Sequence, residues 1–246
     1  MSCERISWIA HRGLAIQNPI PSGDLDHIVD ACPLGTGDLA VDLGCGTGEL
    51  LARLASRWHC RAIGIDQSAL AIQAASRRSD AVAWRVADGR DHQLAPGTAA
   101  LAASVGATHV FGSLGATLAA ITALVHPGGL VIVGDGYWRA DPPDEWLDAL
   151  GARRDELGDR GALLTAIETA GLRVEYAVDA SPSDIDTYND RWRANLERHL
   201  HARPDDPDGP EIADALEYAR RWHPDCGRYL GFAMLVARGH QHGVGS

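Results

Sequence analysis

Short apolar runs alternate with amphipathic stretches along the N-terminal half of the chain, which is the pattern of a parallel sheet covered by helices. Five runs rich in Val, Ile, Leu and Ala predict buried strands, at residues 39–43, 62–65, 82–86, 100–105 and 130–133. Between them, apolar positions recur at helical spacing over 49–58, 68–78 and 113–125. Ser68 is a candidate N-cap, and Pro127-Gly-Gly is expected to end the last of these helices before its strand.

The pattern changes in the C-terminal third. A helix at about 162–170 leads into a sixth strand candidate at 173–178, and the residues from 182 to 223 are helical and highly charged. The segment YLGFAMLVA at 229–237 is expected to form the last strand. We therefore predict one α/β domain over residues 1–246, with an N-terminal helical segment over 1–35 and a helical cap inserted at 180–228, before the last strand.

The composition removes several classes of enzyme. The chain has 246 residues and a formal net charge of -11, and all 22 of its basic residues are arginine. Without lysine there is no P-loop lysine and no Schiff-base chemistry. The acidic balance also argues against binding to nucleic acid or to anionic membranes, because neutralising phosphates needs a basic surface.

No targeting or membrane signal is visible in the sequence. The N-terminus lacks the basic and then apolar pattern of a signal peptide, and no apolar run approaches the roughly 18 residues of a membrane span. The five cysteines are scattered and form no C-x-x-C pair, so we interpret them as reduced thiols. These features predict a cytoplasmic protein, a monomer or homodimer, that binds neither nucleic acid nor membrane.

A glycine-rich stretch, D-x-G-x-G-x-G at residues 42–48, lies between the first strand and its helix. Glycines at that place let the backbone approach a cofactor closely. Asp66 ends the second run, where a carboxylate accepts both hydroxyls of a ribose, and Asp88 follows the third, near the expected position of an adenine amine. Together, in this order, these residues indicate a nucleotide cofactor.

The glycine spacing separates two such cofactors. The dinucleotide fingerprint G-x-G-x-x-G/A would place its third small residue at Glu49, which is bulky and charged beside a pyrophosphate. A nicotinamide-dependent oxidoreductase is therefore the less favoured alternative.

With these motifs the chain resembles the class I S-adenosylmethionine-dependent methyltransferases, over about residues 8–238. VDLGCGTGEL resembles the family's cofactor loop, GIDQSALAIQAA its ribose-binding turn, VADGRD its adenine turn and HPGGLVIVGDGYW its fifth-strand segment. The resemblance implies S-adenosyl-L-methionine as cofactor and a Rossmann-like α/β fold. It also implies a seven-stranded, mostly parallel sheet in the order 3-2-1-4-5-7-6, with strand 7 antiparallel.

More narrowly, the chain resembles bacterial stand-alone methyltransferases of small molecules. The shared features are an N-terminal segment that contains His11-Arg12 and Asn18-Pro19, a V-G-A-T-H segment after strand four, and a charged insertion containing P-D-D-P-D. The chain departs from that subgroup at Asp135-Gly136, where the subgroup has Glu-Pro, and at Arg203, where it has Asn.

On this template, cofactor-binding roles fall on residues from the N-terminal segment and the ends of strands one to four. Asp42 or its neighbouring loop faces the methionine amino group, Asp66 takes the ribose hydroxyls, and Ser104 and Val105 lie near the methionyl part. The residues assigned to cofactor binding are Asn18, Asp42, Gly44, Cys45, Gly46, Asp66, Gln67, Asp88, Gly89, Ser104 and Val105.

The expected reaction is in-line transfer of a sulfonium methyl group to an oxygen, nitrogen or carbon of a small organic molecule. His109, after strand four, is the first candidate for a general base, and His11 is a second. Tyr137 and Trp138, expected to follow strand five, are candidates for the substrate pocket. Because Ser104 and Thr108 are not acidic metal ligands, a metal-independent reaction is preferred. A non-catalytic S-adenosylmethionine-binding partner subunit remains an alternative.

Overall fold

The computed structural model describes residues 3–239, with side chains from Arg5 onward, so residues 1–2 and 240–246 of the predicted domain lie outside it. One seven-stranded sheet runs through this part of the chain in the order β3-β2-β1-β4-β5-β7-β6. The strands are β1 (Leu39–Leu43), β2 (Arg61–Asp66), β3 (Val82–Val86), β4 (Ala99–Val105), β5 (Val125–Trp138), β6 (Leu172–Asp179) and β7 (Leu230–Gly239). Strands β1 to β5 are parallel, and β7 is antiparallel to both β5 and β6. The predicted Rossmann-like topology is confirmed.

Helices cover both faces of the sheet and its carboxyl edge. They are α1 (Cys3–Ala10), α2 (Ser22–Asp30), α3 (Glu49–Trp58), α4 (Ala69–Arg78), α5 (Thr108–Phe111), α6 (Leu114–Leu124), α7 (Asp144–Leu150), α8 (Arg160–Thr169), α9 (Pro182–Ala202), α10 (Gly209–Trp222) and α11 (Cys226–Tyr229). Short 3₁₀ turns lie at Gly89–Asp91 and His223–Asp225. Ser68 caps α4 as expected, since its Oγ accepts a hydrogen bond from the amide of Ala71 at 3.3 Å.

The core lies on both faces of the central strands. Successive side chains of a strand point to opposite faces, so Val131 belongs to one apolar cluster and Ile132 to the other. Leu51 and Leu54 of α3 are fully buried against the second of these faces. Because the central strands are covered on both faces, they are continuously apolar in sequence, and this made them recognisable.

The fifth strand begins earlier than predicted. Helix α6 ends at Leu124, and β5 begins at Val125, so Pro127-Gly-Gly lies inside the strand and does not separate the helix from it. Val125 pairs with Ala99, and the register then shifts before Leu101 pairs with Leu130. This irregularity accommodates the proline and the left-handed Gly128, at φ 79°.

The fifth strand also ends later than predicted. Tyr137 and Trp138 were expected after the strand, but they lie in it and pair with Gly231 and Leu230 of β7. The antiparallel partner extends β5 beyond the end of β4, and this partner is distant in sequence. The two aromatic side chains consequently lie on opposite faces of the sheet.

The N-terminal helix α1 is held by the helices that precede the last strand. Ile9 and Ala10 form an apolar cluster with Leu196 of α9 and with Ile212 and Leu216 of α10. Asn195 Nδ2 donates hydrogen bonds to the carbonyl oxygens of Ala10 and Arg12, at 2.8 and 2.9 Å. We call residues 3–20 together with α9 and α10 the cover.

Two further features of the described residues concern membrane-spanning helices and cysteines. No helix among them is long and apolar enough to cross a membrane. Cys32, Cys45, Cys60 and Cys226 are buried free thiols, whereas the side chain of Cys3 lies outside the described part.

Candidate active site

A cavity of about 550 Å³ lies at the carboxyl edge of the sheet, beneath the cover. Six residues assigned to cofactor binding line it: Gly44, Gly46, Asp66, Gln67, Gly89 and Val105. Both candidate bases, His11 and His109, lie on the same walls. We call this space the cofactor cavity.

A smaller cavity of about 80 Å³ adjoins the glycine loop and shares Gly44, Gly46 and Val105 with the cofactor cavity. Its walls contain three further residues assigned to cofactor binding: Asn18, Asp42 and Cys45. The side chain of Asn18 also shapes its own segment, since its Oδ1 accepts a hydrogen bond from the amide of Ile20 at 2.9 Å.

The glycine loop adopts a backbone that side chains would obstruct. Gly44 and Gly46 have φ values of 82° and 52°. A Cβ at Gly44 would lie 2.5 Å from the Cβ of Ala107, and a Cβ at Gly46 would lie 2.5 Å from Oε1 of Gln17. The left-handed backbone favours glycine at both positions; at Gly44 the fixed Cβ of Ala107 also leaves no room for a side chain, whereas at Gly46 the end of the Gln17 side chain would have to move.

Asp66 fixes the glycine loop to the end of β2. Its Oδ2 accepts a hydrogen bond from the amide of Gly46, and its Oδ1 accepts one from the amide of Ser68, each at 2.8 Å. Because a carboxylate has about four lone-pair sites, it retains acceptor capacity toward the cavity.

Asp42 is a buried carboxyl group without a matching cation. It is 4% exposed, and its Oδ1 has no hydrogen-bond partner. Burial, and then the neighbouring charge of Asp66, raise the pKa of Asp42 to about 7. An ammonium group in the adjoining cavity would supply the missing partner, so this end of the site fits the amino acid part of S-adenosylmethionine.

Asp88 and Ser104 do not line these cavities. The carboxylate of Asp88 pairs with Arg90, 2.6 Å from its Nη2, and the hydrogen bonds from Arg90 lower the pKa of Asp88 to about 2. Ser104 is fully buried and its Oγ has no partner, whereas the next residue, Val105, lines both cavities. The alternation of a strand explains this, since adjacent side chains point to opposite faces.

His11 already has partners on both ring nitrogens. Its Nδ1 lies 2.7 Å from the carbonyl oxygen of Ser7, and its Nε2 lies 2.6 Å from the hydroxyl of Tyr188 on α9. A carbonyl only accepts, so Nδ1 carries a proton, and Nε2 of the neutral ring accepts from Tyr188. Burial lowers the pKa of His11 and raises that of Tyr188 to about 12, which favours this neutral pair.

His109 is placed differently. It is an exposed residue of α5, directly after β4, and it lines both the cofactor cavity and a second cavity of about 320 Å³. Tyr137 lines that second cavity, but Trp138 does not. The indole of Trp138 packs edge-on against Trp146 on the opposite side of the sheet, and its Nε1 donates to the carbonyl of Arg154 at 2.9 Å.

Several residues of the site carried no recognisable signal in the sequence. Gln17 covers the glycine loop, and Ser7 and Trp8 line the cofactor cavity. Tyr188 reaches His11 from a helix far along the chain. Gln17 is one of the unspecified residues between His11-Arg12 and Asn18-Pro19, and the others meet the site only through tertiary packing.

Comparisons with known proteins agree with this geometry. Residues 40–129 match the family model described as a methyltransferase domain. The chain is 28% identical to an uncharacterized protein, YjhP, of Escherichia coli, over 97% of this chain and 100% of that protein. It is also 32% identical to trans-aconitate 2-methyltransferase of Pseudomonas aeruginosa, over 57% of this chain and 48% of that enzyme.

The fold is similar to that of a solved methyltransferase. The crystal structure of an S-adenosylmethionine-dependent methyltransferase from Geobacter sulfurreducens, in complex with S-adenosyl-L-homocysteine, matches with a TM-score of 0.88 and 27% sequence identity. The match covers 96% of this chain and 98% of that one.

The sheet order, the methyltransferase domain and the full-length structural likeness identify the class of protein. Residues 40–129 carry a methyltransferase domain, and nearly the whole chain has the fold of a class I S-adenosylmethionine-dependent methyltransferase, as its motifs indicated. The similar protein from Geobacter sulfurreducens holds S-adenosyl-L-homocysteine, which agrees with S-adenosyl-L-methionine as the expected cofactor.

Proposed function

We propose that the protein transfers the methyl group of S-adenosylmethionine to an oxygen, nitrogen or carbon atom of a small organic molecule, without a metal ion. One observation supports this most strongly: the cofactor cavity combines the glycine loop and Asp66 with an exposed histidine, His109, on the same wall. Cofactor binding and a candidate base are thereby brought together in one space.

In this proposal the cofactor is held along the carboxyl ends of the strands. Asp42 pairs with its amino group, Asp66 accepts its ribose hydroxyls, and Gln67 and Gly89 lie along the adenine. The backbone of Gly44 and Gly46 passes beneath it without side chains in the way. The bound cofactor supplies a methyl group on a positively charged sulfur, which is susceptible to in-line attack.

We assign the general-base role to His109. No hydrogen bond to another described residue occupies its ring, and it lies at the boundary between the cofactor cavity and the second cavity. The ring nitrogens of His11 are both engaged, so His11 is assigned to holding the cover over the site. A closed cover excludes water and strengthens electrostatic interactions within the site.

A small acceptor is supported by two observations. The relative from Pseudomonas aeruginosa is named for a small carboxylic acid, trans-aconitate, and the net charge of -11 disfavours binding of nucleic acid.

The proposal is tested by following release of S-adenosylhomocysteine while the purified protein is supplied with S-adenosylmethionine and a panel of small amines, alcohols, carboxylic acids and acidic carbon compounds. We expect turnover of at least one compound, undiminished by a metal chelator. Loss of turnover with chelator would contradict the metal-independent reaction. Cofactor binding without turnover of any compound would favour the non-catalytic partner subunit.

A further inference from the structure

The second cavity, of about 320 Å³, opens beside the ends of β4 and β5 and reaches the start of α8. We call it the Asp135 pocket. His109 lines it together with Thr108, and His109 also lines the cofactor cavity. A molecule in the Asp135 pocket would therefore lie against the residue to which the base role is assigned.

Asp135 presents one of its two oxygens to this pocket without a partner. Its Oδ1 accepts hydrogen bonds from the Oγ1 of Thr108 at 3.2 Å and from the amide of Gly136 at 2.9 Å. No described residue donates to Oδ2. Burial raises the pKa of Asp135, because the carboxylate is incompletely solvated, and this outweighs the opposite effects of the hydrogen bonds from Gly136 and Thr108 and of the nearby His109.

Apart from His109, the acidic and basic side chains that line the pocket are all carboxylates. Asp135, Glu156 and Asp159 line it, and no arginine does, although arginine supplies all 22 basic residues of the chain. Asp159 is already used as the N-cap of α8, since its Oδ1 accepts from the amide of Ala162 at 2.8 Å. Asp135 is thus the carboxylate that is both held in place and open to a ligand.

Other walls of the Asp135 pocket are formed by apolar side chains and by a tyrosine that is held by a hydrogen bond. Leu157 and Leu163 contribute apolar surface, and Leu163 is 3% exposed. The hydroxyl of Tyr137 donates to Asp179 at 2.9 Å, which holds its ring in place along the pocket. The pocket therefore offers a fixed carboxylate with one unpartnered oxygen, Asp135, and an apolar wall suited to a short hydrocarbon.

We propose that the Asp135 pocket binds the acceptor by a protonated amine on a short apolar chain, with Asp135 as the residue that selects a cation over a carboxylate. This inference rests on the proposed function, because it deepens the description of the same site. It departs from the small carboxylic acid for which the Pseudomonas relative is named. An acid would bring a second negative charge beside Asp135 with no arginine to balance it.

The test uses three probes that share one carbon chain: propylamine, propanol and propionate. Each is titrated into the full-length protein saturated with S-adenosylhomocysteine, and the carboxyl carbon resonance of Asp135 is followed by NMR, assigned by its loss in Asp135→Asn. We expect propylamine to shift this resonance saturably, propanol to shift it weakly, and propionate to leave it unchanged.

Variants of Asp135 distinguish the effect of its charge on propylamine binding from the effect of its side-chain shape. Asp135→Asn is expected to weaken propylamine binding about tenfold or more, measured on the His109 ring resonances, because the charged hydrogen-bond acceptor is lost. Asp135→Glu retains the charge and should retain most of the affinity. The matched control, Asp148→Asn, removes an exposed carboxylate that does not line the pocket and should change nothing.

Two outcomes would overturn the inference: propionate binding at the pocket as well as propylamine, or no saturable response to propylamine. Equal propylamine affinity in wild type and Asp135→Asn would do so as well. Failure of the proposed function has a different signature, since no compound of the panel would then be turned over, whatever the response of Asp135 to propylamine.

Discussion

The cofactor edge and the cover meet at one cavity but are built in different ways. The cofactor edge consists of short loops at the ends of β1, β2 and β4, and its key contacts, such as Asp66 to Gly46 and Ser68, join residues at most 20 positions apart in the chain. The cover joins the first residues of the chain to α9 and α10, through contacts such as His11 to Tyr188 and Ala10 to Asn195. The cofactor-binding loops are therefore held by contacts between residues that are near in the sequence. Enclosure of the site depends on contacts between residues that are far apart in the sequence.

This difference leads to a clear division of effects. Substitutions at the cofactor edge should alter cofactor affinity with little change in stability. Substitutions in the cover should alter stability first. Substitution of His109, which lies between the cofactor cavity and the Asp135 pocket, should lower turnover and leave cofactor affinity and stability nearly unchanged.

The largest effect is expected for His109→Ala. Removing a general base lowers turnover about 100-fold or more, and affinity for S-adenosylhomocysteine should remain within about twofold of wild type. Steady-state kinetics on the best acceptor from the panel, together with calorimetry, measures both. Unimpaired turnover would rule out the base role.

Asp66→Ala should weaken binding of S-adenosylhomocysteine at least about tenfold, because a charged acceptor of the ribose and the anchor of the Gly46 amide are both removed. Titration calorimetry gives the dissociation constant. Asp80→Ala, at an exposed carboxylate outside the cavity, is the control and should bind as wild type does. An unchanged constant for Asp66→Ala would contradict the assignment.

Asp42 should make cofactor affinity depend on pH. Folding raises its pKa to about 7, so the folded protein favours the protonated form, and ionisation lowers stability as pH rises toward and through 7. An ammonium group needs the ionised form, so affinity for S-adenosylhomocysteine should fall by up to about tenfold per pH unit below 7. Calorimetry between pH 8 and pH 5.5 measures this slope. In Asp42→Asn the slope should flatten, and an equally steep slope there would assign it to another group.

Gly46→Ala should weaken cofactor binding several-fold, because the new Cβ would press on Gln17 and the backbone there has a φ of 52°. Gly97→Ala is the matched control: Gly97 also has a positive φ, 68°, but its Cβ would meet nothing within 4 Å. The control should lose some stability and keep its affinity. Equal affinities in both variants would show that the loop tolerates a side chain.

The smallest effect on the site is expected for Tyr188→Phe, which removes the hydrogen bonds of its hydroxyl with half-buried His11 and with the carbonyl oxygen of Gln17. The free energy of unfolding should fall by about 1–3 kcal/mol, with cofactor affinity nearly unchanged. Chemical denaturation measures the first quantity. Tyr218→Phe, which loses a bond from an exposed hydroxyl to the carbonyl of Leu150, should cost less. A larger loss in the control would contradict the importance of the His11–Tyr188 contact.

The elements that could be predicted from the sequence were those with local signals. The buried strands are continuously apolar, and the glycine loop and Asp66 stand at fixed places relative to them. The extension of β5 was missed because Pro127-Gly-Gly is typical of a turn, and only pairing with Ala99 and with β7 shows it to be a strand.

The faces of strand residues were harder to predict. Ser104 and Val105 were assigned together, as were Tyr137 and Trp138, but each pair divides across the sheet. A resemblance to a family predicts where a residue lies along a strand better than it predicts the direction in which the side chain points. The contacts of the cover had no local signal, since residues such as Tyr188 and His11 approach only after the whole chain has folded.

Thermal unfolding with added nucleotide tests the central claim most directly, that the edge formed by Asp42, the glycine loop and Asp66 binds S-adenosylmethionine. At a concentration about 100-fold above its dissociation constant, S-adenosylhomocysteine should raise the Tm by about 5 °C or more, because it binds only the folded protein. NAD at the same concentration should leave the Tm unchanged. Equal shifts with both ligands, or none with S-adenosylhomocysteine, would contradict the assignment of this site.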